Sequence, residues 1–323
     1  MSADETAQPS PTFELIVDEL RTEADEVVVL ALVDESGGEL PPWAAGAHID
    51  LHLPIGLIRQ YSLCGDPGDR HRYEVAVLRD PESRGGSAWI HDELAKGARI
   101  SVSFPRNNFE LVDAEEYLFV AGGIGVTPFL PMIAAARADH RPYTLVYAGR
   151  TRSGMAFVEA LADDGAVRLH VSDEGTRADL GALLDGVSEG AAIYGCGPTR
   201  LLDALTGLCA DRGLSRRLHV EHFSGTVVEL DPDREHPFEV ELAKTGMVLT
   251  VPADRTVLEA LLDHGVKTTS SCAEGVCGSC ETVVLEGEID HRDQILDDDE
   301  RAENEVMMIC CSRARSARVV LDL

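Results

Sequence analysis

The sequence predicts a multidomain chain in which an antiparallel β-barrel is followed by an α/β parallel-sheet domain and then by a small α+β domain. Three observations carry that expectation. Strand-length runs broken by Gly and Pro fill the chain to about Val112, apolar strands alternate with helical periods from Asp113 onward, and three cysteines crowd one loop near the C-terminus. At 323 residues the chain is long enough for two or three separate cores.

The barrel rests on runs such as Glu26-Val27-Val28-Val29-Leu30 and His48-Ile49-Asp50-Leu51-His52-Leu53, with one helix expected over residues 87–94. In the second domain a strand at 117–121 precedes a helical period at 128–136. A strand at 143–148 precedes one at 155–161, and a strand at 192–194 precedes one at 199–212. Such alternation implies parallel strands, because each helix carries the chain back to start the next strand in the same direction. Residues 224–237, centred on Asp231-Pro232-Asp233, have no periodicity and read as a linker. The third domain shows strands at 238–242 and 248–251, a helix at 256–264, the cysteine loop, and strands near 282–285 and 319–323. The boundaries expected are therefore 1–112, 113–225 and 226–323.

With 28 basic and 57 acidic side chains, the net charge is −29, which repels nucleic acid and anionic lipid. A basic docking partner suits that charge, and so does simple solubility. No run approaches the ~18 apolar residues of a membrane-spanning helix. The start, MSADETAQPS, lacks the positive, then apolar, pattern of a secretory signal, so the cytoplasm is expected. Four of the eight cysteines, Cys64, Cys196, Cys209 and Cys311, lie scattered, and no disulfide framework is expected.

The other four have a pattern. Ser270-Ser271-Cys272-Ala273-Glu274-Gly275-Val276-Cys277-Gly278-Ser279-Cys280 gives Cys-x4-Cys-x2-Cys, and 29 residues separate Cys280 from Cys310. That is the spacing of a plant-type 2Fe-2S cluster. Zinc loops instead pair two Cys-x2-Cys knuckles. Cys311 adjoins Cys310, and if both lie on a strand only one faces the iron, so spacing leaves the fourth ligand open.

Two motifs in the barrel region suit a phosphorylated aromatic cofactor. In Arg59-Gln60-Tyr61-Ser62 an Arg can neutralise phosphate, an aromatic can cover a ring face, and a hydroxyl can hydrogen-bond near a flavin N5. A plain strand end with a surface Arg and a packed Tyr is the alternative. Arg84-Gly85-Gly86-Ser87 precedes the expected helix, where glycine amides and a Ser form an anion site.

Phe119-Val120-Ala121-Gly122-Gly123-Ile124-Gly125-Val126-Thr127-Pro128 is a strand, a glycine turn and a helix start suited to a pyrophosphate. It is not the G-x-G-x-x-G fingerprint of a general dehydrogenase. Tyr194-Gly195-Cys196-Gly197-Pro198 repeats the strand-turn-helix logic, and Val220-Glu221-His222-Phe223 closes the domain. Arg150 and Arg152 face either a 2′-phosphate or solvent, whereas Asp173-Glu174 suits a ribose hydroxyl and repels that phosphate.

Taken in this order, the motifs resemble the family of phthalate dioxygenase reductase and vanillate demethylase reductase over nearly the full chain. The resemblance implies a β-grasp ferredoxin fold for the third domain. It implies FMN rather than FAD, from Arg-Gly-Gly-Ser, with Arg59, Tyr61, Ser62, Ala76, Val77 and the Arg84, Gly85, Gly86, Ser87 turn as its contacts. Gly122, Gly123, Gly125, Thr127, Pro128 and Asp173 are implied for NADH, together with Gly195, Cys196, Gly197 and Pro198. Ser62, Cys196 and Phe223 are implied at the hydride-transfer site, with a buried structural thiol as the alternative for Cys196. The ending Ile309-Cys310-Cys311-Ser312-Arg313-Ala314 resembles the family's and favours Cys310 as fourth ligand. The activity implied is that of a monomeric reductase component passing electrons from NADH through FMN and the cluster to a Rieske-type oxygenase acting on an aromatic compound. A haem monooxygenase as acceptor, or a redox-sensing binding module, is the alternative.

Overall fold

Val27–Val33 is apolar at every position because both of its faces are covered, and that strand explains how the first half of the chain is assembled. In the computed structural model, which describes residues 11–81, 85–223, 225, 230–231 and 234–323, the chain divides into two compact units, Thr12–Phe223 and Ser224–Leu323. The first unit begins with β1 (Thr12–Ala24), β2 (Val27–Val33), β3 (His48–His52), β4 (Ile58–Ser62), β5 (Tyr73–Leu78), α1 (Gly86–Glu93) and β6 (Arg99–Ser103). The strands pair antiparallel in the order β4-β3-β6-β1-β2-β5. A bridge between Leu63 and Val75 brings β4 back to β5 and closes the barrel. Val28, Leu30 and Leu32 of β2 point into it. Val27 and Val29 point outward into a second cluster with Phe109, Phe119, Phe129 and Tyr194. Each such side chain contributes about 1.5–3 kcal/mol on burial, so a strand covered on both faces gains by being apolar throughout.

That second cluster joins the barrel to a parallel sheet. Its elements are β7 (Glu116–Gly122), α2 (Phe129–Ala138), β8 (Tyr143–Gly149), α3 (Val158–Leu161), β9 (Val167–Val171), α4 (Leu180–Asp185), β10 (Ala191–Cys196), α5 (Thr199–Asp211) and β11 (Leu218–Glu221). All pairings are parallel, in the order β11-β10-β7-β8-β9. Tyr194 pins the connection from barrel to sheet: its hydroxyl donates to the Glu110 carbonyl (2.9 Å) and accepts the Val112 N–H (2.8 Å). Helix α3 is shorter than the sequence pattern suggests. Phe157 adopts φ 60°, so the helix starts only after it, and Met155 and Ala156 pack into the core instead.

The second unit contains β12 (Phe238–Leu242), β13 (Met247–Val251), α6 (Val257–Asp263), β14 (Glu281–Glu286), β15 (Ile289–Asp290), α7 (Asp298–Glu303), β16 (Val306–Met308), β17 (Arg313–Ala314) and β18 (Arg318–Leu321). Its mixed sheet runs β13-β12-β18-β14-β16, with β12 and β18 parallel, and α6 packs its apolar face into the same core. Capping boxes begin both helices, Thr256 with Glu259 and Asp297 with Glu300. Arg313, only 1% exposed, ties the segment before β12 to this core. It pairs with Glu235 (3.1 Å), donates to the His236 and Pro252 carbonyls, and lies over the Phe238 ring.

Candidate functional site

Three side chains meet where the barrel abuts the sheet. Ser62 ends β4, while Cys196 and Glu221 end the neighbouring parallel strands β10 and β11, in register with each other. The Ser62 hydroxyl donates to Glu221 Oε2 at 3.4 Å, and the Cys196 thiol donates to the same oxygen at 3.9 Å. At 3.4 Å the first contact is longer than an ordinary O–H···O bond, which leaves the hydroxyl able to turn to a better acceptor. Burial pushes the Glu221 carboxyl up to about 8 and, with Glu221 beside it, pushes the Cys196 thiol well above its ordinary value. The group is therefore uncharged near neutral pH. Ser62 and Cys196 were expected from the sequence and Glu221 was not. Its only signal is an acid closing the short alternating strand Leu218–Glu221, and its partners become visible only when β11 is placed beside β10. Phe223, two residues on, is 40% exposed.

A cationic cradle lies at the start of α1. Gly85 precedes the helix with φ 93°, and the Arg59 side chain lies against Gly86, with Nε 2.6 Å from where a Cβ would stand. A guanidinium at the positive end of a helix fits a phosphate, and any larger residue at Gly86 would displace it. Ser87 is buried, and its hydroxyl accepts the Asp80 N–H (3.1 Å). Tyr61 packs against the barrel core, and burial raises its phenol. On β5, Val77 faces the barrel interior and Ala76 the second cluster. The Val77 carbonyl faces His91 Nε2 at 3.0 Å. Arg84 lies outside the described residues.

The two glycine turns at the ends of β7 and β10 pack on each other. A Cβ on Gly125 would fall 2.4 Å from the Cys196 carbonyl oxygen, and one on Gly122 would fall 2.6 Å from Pro198 Cδ. Those glycines, like Gly197 against Gly122, are thus required by turn-to-turn contact whatever binds above them. Gly123, at φ 55° with open space beyond it, is the one that presents bare backbone. Thr127 donates to the Ile124 carbonyl (3.0 Å), Pro128 caps α2, and Gly195 lies under Leu205 of α5. β7 and β10 form the switch point of this sheet, where α/β proteins bind ligands beyond the strand ends. On the far side of β7 the Asp173 N–H donates to the Arg150 carbonyl (3.0 Å).

In the second unit Cys277, Cys280 and Cys310 are buried and Cys272 is half-buried. The facing Cys272 thiol, with burial, raises that of Cys277, and Cys310 does the same to Cys280. Four crowded thiols repel as thiolates unless a cationic cluster lies among them. Among the described residues no three ligating side chains converge as a single ion would need. A cluster of two irons shares four thiolates, and the facing pairs match that. The Glu274 N–H donates to Cys272 Sγ (3.3 Å), as a sulfur made electron-rich by reduction requires, and the Ser271 hydroxyl is buried without a partner. Cys310 and Cys311 sit in the turn after β16, not on a strand as the alternation argument assumed. The Cys311 thiol lies against that of Cys310, 3.7 Å from the Met308 carbonyl and beside Gly275, where a Cβ would lie 2.6 Å from its sulfur.

An uncharged trio at a switch point, a cationic cradle at the start of α1 and four clustered thiols from a loop and the turn after β16 are the parts of a modular electron-transfer oxidoreductase. Comparison with known proteins agrees. Residues 240–315 match the 2Fe-2S iron-sulfur cluster binding domain. The chain is 42% identical to vanillate O-demethylase oxidoreductase of Pseudomonas sp. strain HR199 over 96% of its length and 100% of that protein's. The solved structure of phthalate dioxygenase reductase, described as modular for electron transfer from pyridine nucleotides to [2Fe-2S], matches with TM-score 0.72 and 37% identity. That match covers 97% of this chain and 98% of the other. An intact type IV self-sufficient cytochrome P450 monooxygenase matches with TM-score 0.90 and 48% identity over 97% of this chain, which spans only 41% of that longer one. The chain belongs to the phthalate dioxygenase reductase family.

Proposed function

We propose that the protein is the reductase component of a multicomponent oxygenase, taking electrons from NADH through FMN and a 2Fe-2S cluster to a Rieske-type oxygenase that acts on an aromatic compound. The observation that carries this reading is one chain holding both the Ser62, Cys196 and Glu221 trio and the four-thiol loop. Bound flavin supplies the conversion of a two-electron hydride into single electrons. The protein's own groups position and exclude. Arg59 and the α1 N-terminus hold phosphate, and Tyr61 covers a ring face. The Ser62 hydroxyl, held by only a long contact with Glu221, would be free to donate to a ring nitrogen of the bound group. Neutral Cys196 and Glu221 keep the pocket free of charge that would oppose hydride arrival. Phe223, exposed at the end of the parallel sheet, would cover a face of the bound ring. Cys272, Cys277, Cys280 and Cys310 hold the irons.

Direction follows from potentials. Plant-type clusters lie near about −400 mV and Rieske clusters between roughly −150 and +300 mV. The smallest gap, about 250 mV, is about four powers of ten at ~59 mV each for one electron. A second reading, a haem monooxygenase as acceptor, is favoured by the match to the self-sufficient cytochrome P450 chain at 48% identity. Reconstitution with a Rieske oxygenase and with a haem monooxygenase, scored by product formed per NADH consumed, decides between them. Coupled turnover with the Rieske partner is the expected result, and coupling only with the haem enzyme would replace it.

A further inference from the structure

At the C-terminal ends of β8 and β9, an arginine that could hold a phosphate is already held. Arg152 donates from Nε to Glu174 Oε1 (2.9 Å) and from Nη2 to Glu174 Oε2 (2.8 Å), a two-pronged pair across the adjacent strand ends. The backbone fixes the two loops against each other. β8 and β9 run parallel with Gly149 beside Val171, and the Asp173 N–H donates to the Arg150 carbonyl (3.0 Å). Glu174 therefore meets Arg152 from a fixed position. Each raises the other's tendency to stay charged: the Arg152 guanidinium holds the Glu174 carboxyl below its usual range, and the carboxylate raises the guanidinium.

The place matters because of what lies beside it. β8 is the neighbour of β7, whose glycine turn presents the bare backbone of Gly123, and β9 is the next strand out. At about 4.8 Å per strand, β8 and β9 end roughly 5 and 10 Å from that turn. A dinucleotide with its pyrophosphate on the turn carries its adenosine ribose over this edge, where an acid selects a 2′-hydroxyl and a free Arg accepts a 2′-phosphate. Here the same edge holds both groups, locked together.

We propose that the Arg152–Glu174 pair sets the choice between the two pyridine nucleotides: Glu174 occupies the guanidinium fork that a 2′-phosphate would need, and so excludes NADPH. The inference rests on the nucleotide-site reading above. Asp173 adds a second negative charge to the exclusion, and Arg150, exposed one residue beyond β8, leaves the wild type a residual hold on phosphate. Glu174→Gln removes the charge and half of the grip, freeing Arg152. The pair is about half exposed on both sides, so its loss leaves the fold standing and the variant folds.

The test measures binding and turnover on the flavin- and cluster-loaded protein. Dissociation constants for AMP and for 2′,5′-ADP, by calorimetry, and kcat/KM for NADH and NADPH are compared in wild type, Glu174→Gln, and Glu174→Gln with Arg152→Ala. The single variant is expected to favour 2′,5′-ADP over AMP, and NADPH over NADH, by about tenfold or more relative to wild type, and the double variant to lose that gain. AMP binding with no gain for 2′,5′-ADP in Glu174→Gln, or a gain that survives Arg152→Ala, overturns the inference alone. Absence of AMP binding in wild type overturns the nucleotide-site reading and the inference with it.

Discussion

A carboxyl buried between a serine and a cysteine carries a stability cost that depends on pH. In the unfolded chain Glu221 ionises near 4.5, whereas in the fold burial holds its proton up to about 8. Between those values the unfolded chain has lost a proton that the folded protein keeps, so stability falls as pH rises through this window and levels off above it. The thermal midpoint of the cofactor-free protein should therefore drop more steeply from pH 5 to 8.5 in wild type than in Glu221→Gln. Parallel profiles would show that the carboxyl is not buried as described. Ser62 and Cys196 were legible in the sequence because each stands in a motif, while Glu221 has meaning only through strand order. The four cysteines are the opposite case. Their spacing alone singles out the loop, and the choice of Cys310 over Cys311 rests on the resemblance of the ending Ile309-Cys310-Cys311-Ser312-Arg313-Ala314 to the family's. Cys310→Ser is expected to lose most of the iron and the visible cluster spectrum, and Cys311→Ser to retain both. The reverse pattern in iron analysis would reassign the fourth ligand.

Elements show where pattern reading stops. The barrel, the first and third strand-helix pairs and α6 follow the apolar periodicity closely. β9 escaped because Val167–Val171 carries Arg168 and His170 on an edge strand, where alternation is too short to stand out. α3 was overdrawn because nothing in the sequence announces the left-handed Phe157. In the acidic run Asp297-Asp298-Asp299-Glu300, Asp297 accepts the Glu300 N–H (2.8 Å) and Glu300 returns the contact to the Asp297 N–H (2.9 Å), starting α7. Asp297→Ala should cost about 1 kcal/mol in urea unfolding of the second unit, and Asp297→Asn only a fraction of that. Equal losses would argue against the cap. Arg313 reads in the sequence as part of the cysteine ending, yet it works by holding Glu235 and three carbonyls. Glu235→Ala leaves that buried guanidinium without its carboxylate and should destabilise the second unit by about 3 kcal/mol. Adding Arg313→Met should recover part of it, and a neutral Glu235→Ala would show that the carbonyls suffice.

The whole molecule is a sequence of electron stations encoded in order along one chain, and that order was the most legible feature of all. Three motifs that are weak singly gained force because they occur in the family's sequence, and the fold supports the order with a barrel, a parallel sheet and a ferredoxin sheet. What the sequence could not convey is how the first two share one apolar cluster through Tyr194 and Phe109, since that cluster joins residues from Val27 to Cys196. The net charge of −29 suits an acceptor with a basic docking face as well as simple solubility, and with a basic acceptor transfer should weaken as ionic strength rises. Electrons from NADH pass through a flavin to the cluster, on the reading proposed above. Anaerobic titration of the purified protein with NADH, followed by visible absorption and electron paramagnetic resonance, tests it most directly. Bleaching of the flavin together with the signal of a reduced 2Fe-2S cluster is expected, and flavin bleaching alone in Cys310→Ser. A wild-type protein whose flavin is reduced while its cluster stays oxidised would contradict it.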